Sequence, residues 1–201
     1  MPDEFFPPIV LASSSPRRQE LLRQAGIDFL LHPADIPEPC RPGEAPAQTV
    51  IRLAEAKATA VSELFPGQIV LGADTLVSLD GRALGKPADL SAAKALLHQL
   101  SGRTHEVHTG VCLCRKDDFS CSWVCCSRVT FKELSHADIE RYVSLVNTLD
   151  KAGAYALQEH GEMIIAAVTG DRNNVIGLPI DEVRQKLKEI VHDESSSATS
   201  I

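Results

Sequence analysis

The chain has 201 residues, of which 44% are apolar and 23% charged, the composition of a soluble globular protein rather than a fibrous or disordered one. Its 20 basic and 27 acidic residues give a formal net charge of −7, which argues against a protein that binds nucleic acid polymers. It has no run of about eighteen apolar residues that could cross a membrane, and residues 1–8 lack the basic segment of a signal peptide.

Strand-like and helix-like segments alternate along the chain. Ser15 followed by Pro16 is typical of a helix start, because Ser caps free backbone N–H groups and Pro fits the first helical position. Ser135 with Asp138 three residues later predicts another capped helix. In chain order the predicted elements are a strand over 9–12, a helix from Ser15 to Gly26, a helix over 46–64, a strand over 69–79, a helix from Ser91, strands over 105–114 and 121–132, a helix from Ser135, a strand over 163–168 and a helix from Pro179.

The two long strand-like segments, 105–114 and 121–132, are joined near Asp117-Asp118 and predict an antiparallel pair. Because the other strands alternate with helices, the expected fold class is α/β, with a mixed β-sheet flanked by helices. No internal repeat divides the chain, so residues 1–192 are expected to form a single domain, in one lobe or in two lobes around a cleft. The Ser-rich end, 193–201, is predicted to be a disordered tail.

The first candidate site is the segment S-S-S-P-R-R, from Ser13 to Arg18, between the first strand and the first helix. The free N–H groups of a helix start attract phosphate, while hydroxyls add donors and arginines add charge in a forked geometry. Arg18 also falls on the helical stripe of Leu21 and Leu22, which faces the protein body, where a solvated arginine is not expected. The alternative is an ordinary capped helix with solvated arginines.

Three more charged residues could contribute to a site, two of them in unusual positions. Lys57 lies near the centre of the apolar stripe of the helix over 46–64, so its ammonium should meet an anion or extend to the helix edge. Asp74 interrupts the apolar strand 69–79, where a carboxylate needs a cation or a catalytic task; the alternative is an Asp that caps a turn. Lys86, in a G-K-P loop, could bring a second cation to the same cleft.

Together these residues indicate a site for a small phosphorylated anion, with cations around a carboxylate that could hold a divalent metal or accept a proton from water. No P-loop, no Gly-rich dinucleotide motif after the first strand and no serine nucleophile motif is present. The residues alone therefore predict phosphoryl chemistry without identifying the reaction.

Seven short motifs follow one another between about residue 9 and residue 190. They are L-A-S-S-S-P-R-R-Q-E-L-L, A-E-A-K-A, G-A-D-T, G-K-P, L-S-G-R-T-H, D-K-A-G-A-Y-A-L-Q and N-N-V-I-G-L-P. In this order they resemble the Maf nucleoside triphosphate pyrophosphatases. The resemblance implies a mixed sheet around a deep cleft, as in inosine triphosphatase-like folds, and allows a homodimer. It also implies hydrolysis of a nucleoside triphosphate between its α- and β-phosphates with a divalent metal, Mg²⁺ or Mn²⁺.

The resemblance further implies which residues form the site. The expected catalytic residues are Asp74, the proton acceptor, with Lys57 and Lys86. The positions on the phosphate side of the family's site are matched by Ser13, Arg18, Lys57 and Lys86. The metal-binding positions are matched by Asp74 and by Glu38, in the loop that follows the second strand of the family's fold. The positions that tune the choice of base are matched by Arg17, Thr75 and Gln158.

The form G-A-D-T with a later Gln resembles the branch of the family that acts on dTTP and UTP. The family usually continues Y-G-I-Q-G, whereas this chain has Glu159 in place of the second glycine, beside the expected base pocket. That negative charge could instead select a cationic base, so a 7-methyl-GTP pyrophosphatase is one alternative. Another is a nucleotide-binding regulator of cell division or septum formation that binds phosphate without turnover.

Five of the six cysteines lie in the two predicted long strands. Because residues two or four apart share a strand face, Cys112 with Cys114 and Cys121 with Cys125 could form two pairs that hold zinc across the hairpin. Buried reduced thiols in a cytoplasmic protein are the favoured interpretation, since the spacing lacks the C-x-x-C pattern and no export signal is expected.

Two histidines lie near the start of the first of these strands. His105 and His108 are three residues apart, so they are expected on opposite faces of the strand and not as a pair of metal ligands. A covalent Cys–His hydrolase is not favoured either, because no motif frames a nucleophilic cysteine.

Overall fold

Seven strands form one mixed sheet in the structure, a computed structural model that describes residues 6–39, 41 and 43–198. The strands are β1 (Ile9–Leu11), β2 (Phe29–Leu31), β3 (Val70–Leu79), β4 (Arg82–Leu84), β5 (Thr104–Arg115), β6 (Phe119–Phe131) and β7 (Ile165–Thr169). Their order is β2-β1-β3-β5-β6-β7, with β4 paired to β3. β1 runs parallel to β2 and β3, whereas the other pairs are antiparallel. The predicted α/β class with a mixed sheet is confirmed.

Helices cover both faces of this sheet. They are α1 (Pro16–Gln24), α2 (Pro46–Ser62), α3 (Leu90–Leu100), α4 (His136–Leu145), α5 (Gly161–Ile164), α6 (Arg172–Ile176) and α7 (Ile180–Ala198), with a 3-10 turn at Ala152–Ala154. α1 and α7 pack on one face, where Leu22 and Leu187 join Leu71 and Leu113 in a buried cluster. No helix in the described part of the chain is both long and apolar enough to cross a membrane.

α2 lies directly on the opposite face of β3 and β5 because the strand residues beneath it are glycines. A Cβ atom on Gly72 would overlap the backbone oxygen of Ala54, and one on Gly110 would overlap the backbone of Val50. The close approach buries this side of α2 against the sheet. It also brings Lys57, on the same side of α2, over the middle of β3.

Capping explains where the helices begin, with one correction. Ser15 accepts a hydrogen bond from the Arg18 backbone N–H, and Ser135 forms the predicted capping box with Asp138. The prediction that Ser91 caps the third helix is wrong. Asp89 is the cap, because its side chain accepts a hydrogen bond from the Ala92 backbone N–H at 2.8 Å, and α3 begins at Leu90. A carboxylate at this position also favours the positive end of the helix dipole.

The C-terminal part departs from the prediction in two places. Of the predicted strand over 163–168, the first two residues belong to α5, which follows His160 in the left-handed conformation (φ 56°), and β7 begins only at Ile165. α7 continues to Ala198, so 193–198 are helical where a disordered tail was expected, while 199–201 lie outside the described residues. No Gly or Pro interrupts this stretch, so the helical backbone can continue through it.

The two cysteine pairs lie on opposite faces of the sheet. Cys112 and Cys114 are buried beneath α2, whereas Cys125 lies beside Glu182 of α7. In the hairpin, Cys121 pairs across the strands with Leu113, which places it on the face opposite Cys112. A zinc site formed by both pairs is therefore excluded, and the five described cysteines are free thiols.

Candidate active site

A cleft of about 600 Å³ opens where the end of β1, the start of α1, the inner side of α2 and the middle of β3 meet. The loop that follows β4, the segment from 150 to 158 and the end of α6 form its other wall. All nine predicted site residues line this one cleft: Ser13, Arg17, Arg18, Glu38, Lys57, Asp74, Thr75, Lys86 and Gln158. Residues up to 145 positions apart in the sequence (158 − 13) are thus brought together by the fold.

Asp74 and Lys57 form an ion pair at the inner end of the cleft. The Lys57 Nζ atom lies 2.7 Å from Asp74 Oδ1 and 2.9 Å from Glu38 Oε1. The Lys57 side chain is only 7% exposed, and that of Asp74 13%, whereas Glu38 is half exposed. The predicted anion partner of Lys57 is therefore the predicted proton acceptor itself. Because a buried charge without a partner costs several kcal/mol, each of the two holds the other in place.

Arg18 is fixed by three hydrogen bonds from its guanidinium group. Nε donates to the Gly177 carbonyl at 2.9 Å, Nη1 to Ser13 Oγ at 2.8 Å and Nη2 to Thr75 Oγ1 at 3.0 Å. Burial lowers the pKa of Arg18, and the Asp74 carboxylate opposes this effect. The expectation that Arg18 faces the protein body is confirmed. Its charge is held rigidly beside Asp74.

Thr75 and Asp74 point to opposite faces of β3, as neighbours in a strand do. Thr75 Oγ1 lies 3.0 Å from Thr109 Oγ1 on β5 and 3.3 Å from the Gly177 carbonyl. It therefore links β3 to β5 and to the end of α6, in addition to lining the cleft. We call Ser13, Arg18, Lys57 and Asp74 the inner group, because all four are buried or nearly so and hydrogen-bonded.

The remaining predicted residues lie at the open side of the cleft. Lys86 and Gln158 are exposed, and neither side chain has a hydrogen-bond partner within the described ranges. The loop that carries Lys86 is attached to the other wall by a hydrogen bond from the Gly153 N–H to the Gly85 carbonyl, at 3.1 Å. We call Lys86 and Gln158 the outer group. Arg17 is half-buried beside them at the start of α1.

A family profile described as Maf-like protein matches residues 8–190 of this chain. The chain belongs to the Maf family. The dTTP/UTP pyrophosphatase of Akkermansia muciniphila is 48% identical over 182 residues, which cover 90% of this chain and 96% of that protein. The dTTP/UTP pyrophosphatase of Bacillus anthracis is 42% identical over 181 residues, 90% of this chain and 94% of that one. These relatives confirm that this Maf chain is an enzyme of the pyrophosphatase class.

Among solved structures, the Staphylococcus aureus Ham1 protein is similar to this Maf chain with a TM-score of 0.46 and 17% identity, covering 90% of this chain and 100% of that one.

One ion pair beside the cleft was not predicted from the sequence. The Lys151 ammonium, whose side chain is 4% exposed, lies 3.2 Å from Glu159 Oε1 and 2.9 Å from Asp150 Oδ1. It also donates to the Asn147 carbonyl at 2.7 Å. Glu159, where this chain departs from the usual Maf glycine, therefore shares one ammonium with Asp150, and the three charges sum to −1. The only sequence signal was the position of Lys151 in the D-K-A-G motif.

A buried His–Tyr pair lies at the wall of the cleft. His105 Nε2 is 2.7 Å from the hydroxyl of Tyr155, which lines the cleft. Burial lowers the pKa of His105 to about 4, so the ring is neutral at physiological pH. His108 is half-buried on the other face of β5, as expected from its spacing. The Tyr155 side chain at the wall of this Maf cleft is therefore hydrogen-bonded to a neutral imidazole, that of His105.

The carboxylates of the cleft fit the hard divalent metal that the Maf resemblance implies. Glu38 and Asp74 each direct an oxygen at the same Lys57 ammonium, so their carboxylates converge at the inner end of the cleft. Mg²⁺ and Mn²⁺ prefer oxygen ligands, and Mg²⁺ is commonly held by one or two carboxylates together with substrate phosphates. The donor set is therefore suitable for either ion.

Proposed function

We propose that this Maf protein hydrolyses dTTP and UTP to the nucleoside monophosphate and pyrophosphate. The observation that carries the proposal is the inner group: a nearly buried carboxylate, Asp74, between the charges of Lys57 and Arg18 in one cleft. A carboxylate among cations suits water activation next to a polyphosphate. The named activity of the relatives at 42–48% identity supports the same reaction.

In this mechanism, the cations bind and orient the triphosphate. Lys57 and Arg18 lie at the inner end of the cleft, and Lys86 at its open side can reach a phosphate because its ammonium has no partner among the described residues. The hydroxyl of Ser13 and the N–H groups at the start of α1 add neutral donors. Because the inner group is fixed before substrate binds, it stabilises developing negative charge without rearrangement.

Asp74 accepts the proton of the attacking water. Oδ1 is engaged by Lys57, and Oδ2 accepts no hydrogen bond from the described residues, so it is available to the water. The water oxygen bonds to the α-phosphorus, the bond from this phosphorus to the bridging oxygen breaks, and pyrophosphate leaves with that oxygen. The negative charge that develops on the leaving group lies near Lys57, Arg18 and Lys86.

Mg²⁺ or Mn²⁺ would be held by Glu38 and Asp74 together with substrate phosphates. A bound divalent ion supplies neutralisation of phosphate charge and polarisation of the scissile bond. Lys57, which contacts both carboxylates, would also hold them near one another.

Gln158 is the proposed reader of the base, with Arg17 and Thr75 shaping the entrance to its pocket. Its amide can both donate to and accept from the edge of a pyrimidine. Glu159 does not line the cleft and its Oε1 atom is held by Lys151, so a neutral base is favoured over the cationic base of 7-methyl-GTP. The alternative of a regulator without turnover gives no role to a carboxylate placed among the cations.

Chromatography of the products from a panel of nucleoside triphosphates tests the proposal. With dTTP or UTP and Mg²⁺ or Mn²⁺ we expect monophosphate and pyrophosphate, with lower kcat/KM for CTP, GTP and 7-methyl-GTP, and no turnover after chelation. Diphosphate with inorganic phosphate would show attack at the γ-phosphorus and contradict the reaction. A preference for any purine would contradict the choice of base alone.

A further inference from the structure

A second group of metal-ligating side chains lies on the β5–β6 hairpin, outside the cleft. Glu106, His108 and Cys126 each offer one ligand atom, and these three atoms lie within 4.8 Å of one another. None of the three residues lines the cleft. They present one oxygen, one nitrogen and one sulfur donor, unlike the pair of carboxylates at the inner end of the cleft.

The sheet itself sets this arrangement. His108 and Cys126 are direct cross-strand partners in the register of β5 and β6, and Glu106 precedes His108 by two residues, so all three side chains project from the same face. His108 is 12% exposed, Glu106 40% exposed, and Cys126 lies at the surface. The position is accessible to an ion from solvent, while the backbone beneath it is held by the strand pairing on both sides of β5.

The distances suit a small tetrahedral ion. His108 Nε2 lies 3.3 Å from Glu106 Oε2. Two ligands bound about 2.0–2.2 Å from zinc at the tetrahedral angle lie roughly 3.3–3.6 Å apart, and a sulfur at about 2.3 Å only slightly farther. The other carboxylate oxygen, Oε1, faces Arg128 Nε at 3.6 Å, so Oε2 stays available. The Cys126 sulfur lies within 4.8 Å of both of these ligand atoms.

His108 is free to act as a ligand, in contrast to the neighbouring His105. The His105 Nε2 atom is engaged by Tyr155, whereas His108 contacts only Glu106 through Nε2, and no described residue bonds its buried Nδ1. Burial and the charge of Glu106 raise the pKa of Cys126. The same negative charge that disfavours a free thiolate stabilises a cation beside it.

We propose that Glu106, His108 and Cys126 form a binding site for a zinc-class divalent ion, with a fourth position open to solvent. On binding, the Cys126 thiol gives its proton to the buffer and its sulfur bonds to the ion, together with the lone pair of His108 Nε2 and a carboxylate oxygen of Glu106. One thiolate and one carboxylate balance the two charges of the ion. The soft sulfur and nitrogen donors select zinc, cobalt or cadmium over Mg²⁺.

Titration of the chelator-treated full-length chain with Co²⁺ in excess Mg²⁺ tests this site by absorption. Thiolate ligation gives an intense near-ultraviolet band from sulfur to cobalt, which Mg²⁺ and oxygen ligands cannot produce. We expect one equivalent to saturate the band and Zn²⁺ to abolish it. Because the thiol must lose its proton, the affinity should rise with pH.

Matched variants connect the band to the three residues. Cys126→Ser should abolish it, whereas Cys121→Ser, a partly exposed thiol on the opposite face of the same strand, should leave it unchanged. His108→Ala and Glu106→Gln should weaken Co²⁺ binding at least about tenfold, the loss caused by removing even an outer partner of a metal ligand. Circular dichroism verifies that each variant is folded. No band, a band that survives Cys126→Ser, or unchanged affinity in His108→Ala would overturn the proposal.

Discussion

The inner and outer groups share one cleft but differ in how firmly the fold holds them. Arg18 makes three hydrogen bonds, and Lys57 lies within 3 Å of two carboxylates at 2.7 and 2.9 Å. Lys86 and Gln158 are exposed and have no side-chain partner in the part of the chain that the structure describes. Fixed charges in a poorly solvated place stabilise a transition state, whereas exposed, mobile side chains gain little from each contact. The inner group should therefore dominate the rate, and the outer group should adjust affinity and choice of substrate.

The largest effect is expected from Asp74→Asn. The amide keeps the shape of the carboxylate but cannot accept the proton, so kcat should fall roughly 10²–10⁴-fold, the range for one general base. Steady-state pyrophosphate release from dTTP and UTP measures it. Asp80→Asn, in the exposed turn that follows β3 and beside Arg103, is the control and should retain the wild-type rate. Near wild-type turnover of Asp74→Asn would show that the inner group does not activate the water.

The stability of the folded chain should depend on the protonation of His105, which bonds Tyr155 at the wall of the cleft. The pKa of His105 is lowered to about 4 from an ordinary value of 6.5, so between these values the unfolded chain binds a proton that the folded chain does not. The free energy of unfolding should therefore fall as the pH drops from about 6.5 to about 4, by up to about 3 kcal/mol. Urea unfolding at several pH values measures this change.

Two histidine variants separate this effect from other titrations. His105→Gln, which stays neutral and can still bond Tyr155, should remove most of the pH dependence in this interval. His136→Gln, an exposed histidine at the start of α4, should leave it intact. Equal pH dependence in the wild type and His105→Gln would show that His105 is not held neutral in the folded protein.

Arg18→Lys keeps the charge of the inner group but removes its forked geometry. The variant loses bonds to Ser13, Thr75 and Gly177 that an ammonium cannot reproduce together, so the free energy of unfolding should fall by about 1.5–3 kcal/mol. The KM for dTTP should rise as well. Arg23→Lys, on the exposed side of the same helix, should change stability by less than about 0.5 kcal/mol. If both variants unfold alike, Arg18 is not part of a fixed inner group.

The smallest effect is expected from Gln158→Ala. One exposed amide is worth about 0.5–1.5 kcal/mol, so the kcat/KM preference for UTP over GTP should fall about two- to tenfold while the best overall rate changes less. Gln185→Ala on α7, outside the cleft, is the control. A loss of turnover for every nucleotide would show that Gln158 belongs with the inner group in its contribution to the rate.

The inner group could be predicted from the sequence because its members violate local patterns. Arg18 and Lys57 occupy apolar helix stripes and Asp74 interrupts an apolar strand, so each predicts a buried partner, and the structure supplies it. Lys86 and Gln158 violate no pattern, since exposed loops carry such residues routinely. Lys86 was indicated by its G-K-P loop and by the family motifs, whereas Gln158 was indicated by the family motifs alone.

What the sequence could not predict depends on pairing across the fold. Lys151 lies in a largely irregular segment, so nothing local shows that its ammonium is buried against Glu159. The two cysteine pairs do not form the zinc site that was considered. The turn between β5 and β6 places Cys121 across from Leu113, so the two pairs lie on opposite faces of the sheet. The same register makes Cys126 the direct cross-strand partner of His108. The spacing of these residues along the chain does not reveal this contact.

Hydrolysis of dTTP in ¹⁸O-labelled water tests the central claim most directly, because it reports which phosphorus the activated water attacks. If Asp74 directs water to the α-phosphorus, mass spectrometry should find one labelled oxygen in the thymidine monophosphate and none in the pyrophosphate. Label in pyrophosphate, or labelled inorganic phosphate beside the diphosphate, would contradict the account.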